Sequence, residues 1–301
     1  MPSRIFQQLL TYFRRHPYVQ AVGFMLISTA AFSAMNVGVS VLTKDLDPTL
    51  IVMLRNGVAL VLLLPFALRR RAALVRTTRL TSHFSRATVG SIGMIVWTYC
   101  LSIMPVSHAT ALSYTAPLFT TLFAVIFMGE KASRSRWLGL LAGFGGALVI
   151  IRPSTVDFEW SSLLVMLATT AWAVVGMLVK SLSRTEPALR IVFYMSLFML
   201  LWSLPLGLYH WKSPEPIHWL MLLVIAVCSI TMHFTMARAY FLAPVVNLMP
   251  FDFMRLIYTA LFAYLLFGET SDAMTWLGAG IIIGSTVFIA RRDMKAAPVL
   301  S

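Results

Sequence analysis

Charge is scarce in this chain, and acid is scarcer. Asp and Glu number 11 in 301 residues, and all charged residues together make up 12%. Soluble domains carry about 25% charged residues, so this polypeptide lacks the side chains to clothe itself for water. Cysteine is nearly missing as well. The two present, Cys100 and Cys228, fall inside apolar stretches without C-x-x-C or Cys/His spacing, so we read them as packing residues and not as a disulfide framework or metal site. The chain has no G-x-x-x-x-G-K-[ST] phosphate loop, no H-E-x-x-H helix, no paired acids and no Ser/His/Asp order. These absences argue against ATP-driven work and hydrolytic catalysis, and we expect no catalytic residue, cofactor or metal.

Apolar sequence is what the chain has in quantity: 59% of its residues are hydrophobic, with a mean hydropathy of +0.82. Stretches such as 50–68 and 113–128 run nearly unbroken. Such lengths suit a hydrocarbon slab roughly 30 Å thick crossed at about 1.5 Å per residue. Reading apolar runs between charged or Pro/Gly punctuation predicts ten membrane spans: 19–42, 49–68, 87–104, 108–128, 135–151, 160–181, 188–209, 217–238, 243–267 and 273–290. The first follows Arg14 and Arg15 as a secretory signal would, but it continues to Leu42, beyond the length of a signal's apolar core. The longest hydrophilic gap, Arg69 to Arg86, has room for a short surface helix but not for a second domain.

The formal charge of +13 suggests nucleic acid until the basic residues are located, since they lie in short loops between apolar runs. With the amino terminus inside, nineteen fall on inner segments: Arg4, Arg14, Arg15, Arg69, Arg70, Arg71, Arg76, Arg79, Arg86, Lys131, Arg134, Arg136, Lys180, Arg184, Arg190, Arg238, Arg291, Arg292 and Lys295. Three fall outside, at Lys44, Arg152 and Lys212, while Arg55 and Arg255 lie within the spans. This asymmetry predicts cytoplasmic termini in an inner (plasma) membrane, and it excludes a nucleic-acid partner. Adding or dropping one span would reverse every later loop and destroy the alternation.

The two halves repeat at an offset of 139 residues. Met128-Gly129-Glu130 followed by Trp137-Leu138-Gly139 recurs as Phe267-Gly268-Glu269 followed by Trp276-Leu277-Gly278. Pro48 answers Pro187, Pro105 answers Pro244, and Ala31-Phe32 answers Ala171-Trp172 one residue out of step. Five spans is an odd number, so the halves enter the membrane from opposite sides. The predicted fold is therefore all-α and membrane-integral, with ten transmembrane helices in two inverted five-helix repeats. The predicted organisation is a cytoplasmic segment 1–18, a first repeat 19–151, a second repeat 160–290 and a cytoplasmic tail 291–301. In carriers so built, one half rocks against the other around a midplane site.

Two five-helix halves, a Gly-Glu closing the fourth span of each, a Trp-Leu-Gly opening the fifth, and Leu54-Arg55-Asn56 early in span 2 together resemble the EamA family of the drug/metabolite transporter superfamily. The resemblance covers nearly the whole chain. It implies a ten-helix transporter that exports or exchanges small metabolites.

Ionisable residues inside spans cost roughly 2.5–3.5 kcal/mol each on insertion scales and therefore point to function. Asp252 and Arg255, at i and i+3 in Pro250-Phe251-Asp252-Phe253-Met254-Arg255, share one helical face. They suit a zwitterion, Arg255 taking a carboxylate and Asp252 an ammonium or coupling proton; an internal salt bridge fits them equally well. Pro250 removes a backbone donor nearby and frees a carbonyl to line a cavity. Arg55 is placed to snorkel to an interface or to meet an anionic group. Tyr114 precedes Pro117 in span 4 and is the repeat partner of Phe253, which makes it a lining candidate. Asn36, Asn247, Trp97, Tyr99, Trp172 and Tyr258 are further lining candidates, though such residues also build cores and interfacial belts. His108 and His233 are coupling candidates or hydrogen-bonded structural residues. Gly139, Gly143, Gly146, Gly280 and Gly284 have small-residue spacing suited to close helix packing.

The predicted function is a secondary carrier that exports or exchanges a small zwitterionic or amino-acid-like metabolite by alternating access. Vitamins or flavins, opines and cationic drugs are alternative solutes, and an integral-membrane enzyme acting on lipid or isoprenoid is the alternative class. The expected partners are the solute and the bilayer, and the chain is compatible with a monomer or a homodimer.

Overall fold

The computed structural model describes residues 16–69, 75–103, 112–151, 160–268 and 273–296, and every regular element among them is helical. In chain order the helices are α1 (Pro17–Leu42), α2 (Pro48–Arg69), α3 (Leu80–Ile103), α4 (Ala116–Met128), α5 (Arg134–Ile151), α6 (Trp160–Ser183), α7 (Ala188–Tyr209), α8 (Pro216–Leu242), α9 (Val245–Asp252), α10 (Met254–Phe267) and α11 (Ala273–Ala296). The ninth span is divided into α9 and α10, so the helices make ten spans. Among the described residues, six helical stretches are long and apolar enough to cross a bilayer on length and composition alone.

The chain stops and restarts its helices by simple local chemistry. Pro48, whose missing N–H costs nothing at a helix start, opens α2 behind Asp47, whose carboxylate accepts the Thr49 N–H at 2.8 Å. At the far end of each half's fourth span stands a glycine with positive φ, Gly129 at 67° and Gly268 at 69°. Both occupy the left-handed position that ends a helix cheaply only without a Cβ, which is why the Gly-Glu pair recurs in each half.

The span boundaries largely agree with the apolar runs, and a difference of consequence lies at α3. This helix starts at Leu80, seven residues before the predicted span, so Arg86 is not a loop charge but a side chain buried to 2% exposure within a helix. The hydrophilic gap is correspondingly shorter than its composition suggests.

The halves are not two lobes. The heaviest pairings all join one half to the other: α1 with α8, α3 with α6, α2 with α7, and α5 with α11. Exchanging the halves maps α1·α8 onto α6·α3 and α2·α8 onto α7·α3, as an inverted repeat requires. The closest helix pairings thus lie between the repeats and not within them.

The α5·α11 seam shows how closely the repeats approach. A Cβ added to Gly278 would stand 2.6 Å from the Gly146 carbonyl oxygen and 2.5 Å from Ile150, whereas one on Gly280 or Gly284 would meet nothing within 4 Å. Of the glycines expected to pack, Gly280 and Gly284 therefore do not, and Gly278 does so in their place. Gly278→Val should cost about 1–3 kcal/mol by overpacking. Gly280→Val, two residues away, should stay within about 0.5 kcal/mol. Thermal unfolding of the two variants in detergent checks the contrast.

Candidate functional site

The break in the ninth span builds the centre of the molecule. Pro250 lies inside α9, and the helix ends two residues later; Phe253 then adopts a turn and α10 begins at Met254. The fourth span breaks at the equivalent place, with Tyr114 and Thr115 in a turn before α4 starts at Ala116. These repeat-related turn residues meet: the Tyr114 and Phe253 rings stack with centroids 6.2 Å apart and planes inclined by 21°. The Phe253 ring is fully buried and fits against Gly143, where a Cβ would stand 2.7 Å from it.

Asp252 and Arg255 flank that turn. Arg255 Nη2 lies 3.3 Å from Asp252 Oδ2, and the guanidinium stands over the Tyr114 ring at 4.5 Å and the Phe32 ring at 5.5 Å. Such faces attract a cation through the ring quadrupole. Ser33 on α1 donates to the Arg255 carbonyl at 2.8 Å, which ties α1 to the start of α10. Arg255 Nε and Nη2 are buried without a well-formed hydrogen bond among the described residues. The ion pair thus holds Arg255 in place while leaving donor capacity for another acceptor.

A second layer lies on the side where α8 ends and α9 begins. Tyr240, 3% exposed, lies within electrostatic reach of Asp252, Arg255 and Glu130. Glu130 Oε2 accepts the Val246 N–H at 3.0 Å and so caps the amino end of α9. Lys180 Nζ, also buried, donates to the Ala243 carbonyl at 2.7 Å and to the Tyr240 carbonyl at the carboxyl end of α8. One acid from the first repeat and one lysine from the second therefore hold the α8–α9 corner.

The other candidates are spread through the bundle. Arg55 does not snorkel: its Nη1 points at Met35 Sδ at 3.5 Å and its Nε is buried. His233 Nδ1 lies 3.4 Å from Arg86 Nη2. Trp97 and Trp172 form a tilted pair at 5.3 Å between α3 and α6. Asn36 lies one turn beyond Phe32, is exposed and donates to the Phe32 carbonyl at 3.1 Å. Asn247 on α9 keeps a buried Oδ1 without a hydrogen bond among the described residues. Tyr258 is half-buried on α10, Tyr99 is 49% exposed, and His108 lies outside the described residues. The structure thus gathers Asp252, Arg255 and Tyr114 into one centre, while Arg55 meets Met35 and His233 meets Arg86.

Sequence reading missed Phe32, Tyr240, Lys180 and Arg86 as functional candidates. Phe32 carried one available signal, since it pairs with Trp172 in the repeat. Lys180 and Arg86 had been counted among ordinary inner charges.

A ten-span inverted-repeat bundle with a charged centre at a broken helix defines a membrane transport protein. The chain belongs to the EamA-like transporter family, which it matches over residues 19–152 and 159–291. It is 30% identical over 279 residues to the S-adenosylmethionine uptake transporter of Rickettsia felis, covering 93% of this chain and 95% of that one. It is 32% identical over 277 residues to the riboflavin transporter of Brucella anthropi, covering 89% and 98% respectively. A solved crystal structure superposes with a TM-score of 0.77 over 90% of this chain and 98% of that one; at 16% identity this is a likeness of fold. This protein is accordingly a multi-pass membrane transporter of small metabolites and not an enzyme.

Proposed function

We propose that the transporter carries a small zwitterionic, amino-acid-like metabolite across the inner membrane by alternating access, in export or exchange, with both termini cytoplasmic. The observation that carries this reading is the Arg255–Asp252 pair at the break in the ninth span, 3.3 Å apart, with guanidinium donors to spare. A solute carboxylate takes those donors, and its ammonium takes Asp252. The aromatic faces of Tyr114 and Phe32 shield the site from water and strengthen both contacts. Orientation follows from the basic residues, which concentrate in the segments on the membrane face that holds the amino terminus. Net direction is set by solute gradients and not by the fold.

The relative named as a riboflavin transporter supports a second reading, in which the Trp97–Trp172 pair stacks a flat heterocycle. One experiment separates the two: thermal unfolding of the purified protein with amino acids, S-adenosylmethionine, opines, riboflavin and quaternary cations. A ligand at a hundredfold excess over its Kd stabilises by roughly 2.7 kcal/mol. Zwitterions should stabilise the parent and not Asp252→Asn. Stabilisation by riboflavin alone, unchanged in Asp252→Asn, would sink the zwitterion reading.

A further inference from the structure

Away from the Arg255 centre, two further arginines are held inside the protein. Arg86 on α3 is 2% exposed, and its Nε and Nη1 make no hydrogen bond among the described residues. Arg55 on α2 offers Nη1 only to the Met35 thioether, a weak acceptor, and its Nε has no described partner. His233 lies on α8, which packs against α2, and its Nδ1 is 3.4 Å from Arg86 Nη2. A guanidinium can only donate, so Nδ1 accepts and the proton of the neutral ring is on Nε2. With that one acceptor taken up by Arg86, the cluster has only donors left to offer a ligand.

The described carboxylates are engaged elsewhere. Asp45 faces His218, Asp47 binds Thr49, Glu130 caps α9, Glu186 pairs with Arg190, Glu215 caps α8, and Asp252 holds Arg255. Arg86 is buried and Arg55 partly so, and guanidinium charges that face no acid among the described residues are costly within a membrane-spanning bundle. Charge and hydrogen-bond geometry both call for an oxyanion.

We infer that Arg55, Arg86 and His233 form a second recognition pole that binds a carboxylate or other small oxyanion. Guanidinium forks match such groups bidentately. The two poles adjoin. Phe32, which faces Arg255, and Met35, which faces Arg55, are three residues apart on α1, an axial rise of about 4.5 Å. The favoured solute thus carries a zwitterionic head for Arg255 and Asp252 and a second anionic group for this pole. That identification of the solute rests on the zwitterion reading above, whereas the anion pole stands without it.

The test is thermal unfolding of the full chain in chloride-free, low-salt buffer with L-glutamate, L-glutamine or inorganic phosphate. Arg86→Gln, Arg55→Gln and Arg255→Gln are run beside the parent, and Arg86→Lys serves as a charge-retaining control should Arg86→Gln not fold. We expect glutamate to raise the melting temperature by several degrees more than glutamine. Arg86→Gln or Arg55→Gln should remove that excess, and Arg86→Lys should keep part of it. A phosphate shift lost in Arg86→Gln but kept in Arg255→Gln also supports the pole and identifies a free anion, not the solute, as its occupant. Loss of the glutamate and glutamine responses alike in Arg255→Gln, with the phosphate response intact, would locate zwitterion binding at the first centre. If neither glutamate over glutamine nor phosphate shifts the folded parent, or if the shifts persist in both Arg86→Gln and Arg55→Gln, the pole does not exist.

Discussion

Arg255→Ala is expected to abolish solute flux while the protein still inserts and accumulates in the membrane. Truncating one partner of a charge pair that engages a ligand costs about 2–5 kcal/mol of binding free energy, and at about 1.4 kcal/mol per tenfold this corresponds to roughly a thirtyfold to a few thousandfold loss in solute affinity. Asp252→Asn removes the complementary charge and should be nearly as severe. Arg255→Lys keeps the charge but not the planar fork that sits over Tyr114 and Phe32, so it should retain a small residual flux. The double variant Asp252→Asn/Arg255→Gln has no uncompensated charge; it should recover stability lost in the single variants without recovering transport. Flux into proteoliposomes, scored beside thermal unfolding, separates these outcomes. Full transport by Arg255→Ala and Asp252→Asn would remove the pair from the solute's path.

Lys180→Ala should produce the second large effect, at the α8–α9 corner. The ammonium satisfies the carbonyls of Tyr240 and Ala243 at the end of α8, and Glu130 caps the start of α9 at the same corner. Without Lys180, two carbonyls lose their donor and the buried Glu130 carboxylate loses its nearby countercharge, a cost of about 3–5 kcal/mol. The corner leads directly into α9 and the turn that carries Asp252, so loosening it should admit water there. Cysteine introduced in place of Ala243, which is 4% exposed, should react faster with a membrane-impermeant maleimide in the Lys180→Ala background than in the parent. Glu130→Gln keeps one acceptor for the Val246 N–H and should cost less. Equal labelling rates in parent and variant would show that Lys180 fastens the helices without governing access.

Much of the fold was legible because the bilayer imposes simple rules. A span must be apolar over a fixed length, and basic loops stay on one side. Hence α7 occupies the run 188–209 and α2 differs from its run by one residue at each end. Gly129 and Gly268 were visible as a repeated pair, and their positive φ explains the repetition. The site was legible only in part. Asp252 and Arg255 stand out because ionisable residues are rare inside spans. Arg86 and Lys180 did not, because each lies near the end of an apolar run, where a charge reads as a loop residue.

By itself, then, the sequence determined the number of spans, the two opposed repeats and the charged pair in the ninth span, since backbone satisfaction and hydrophobic length in lipid follow from local composition. Only the tertiary structure decided which faces meet. Tyr114 stacks on Phe253, Lys180 reaches the end of α8, and Arg86 turns toward His233. The physical reason is that lipid and protein interior are equally apolar to these helices, so no hydrophobic stripe marks the buried face as it does in water. The faces are selected by shape, by small residues such as Gly143 and Gly278, and by the few polar groups that must find partners.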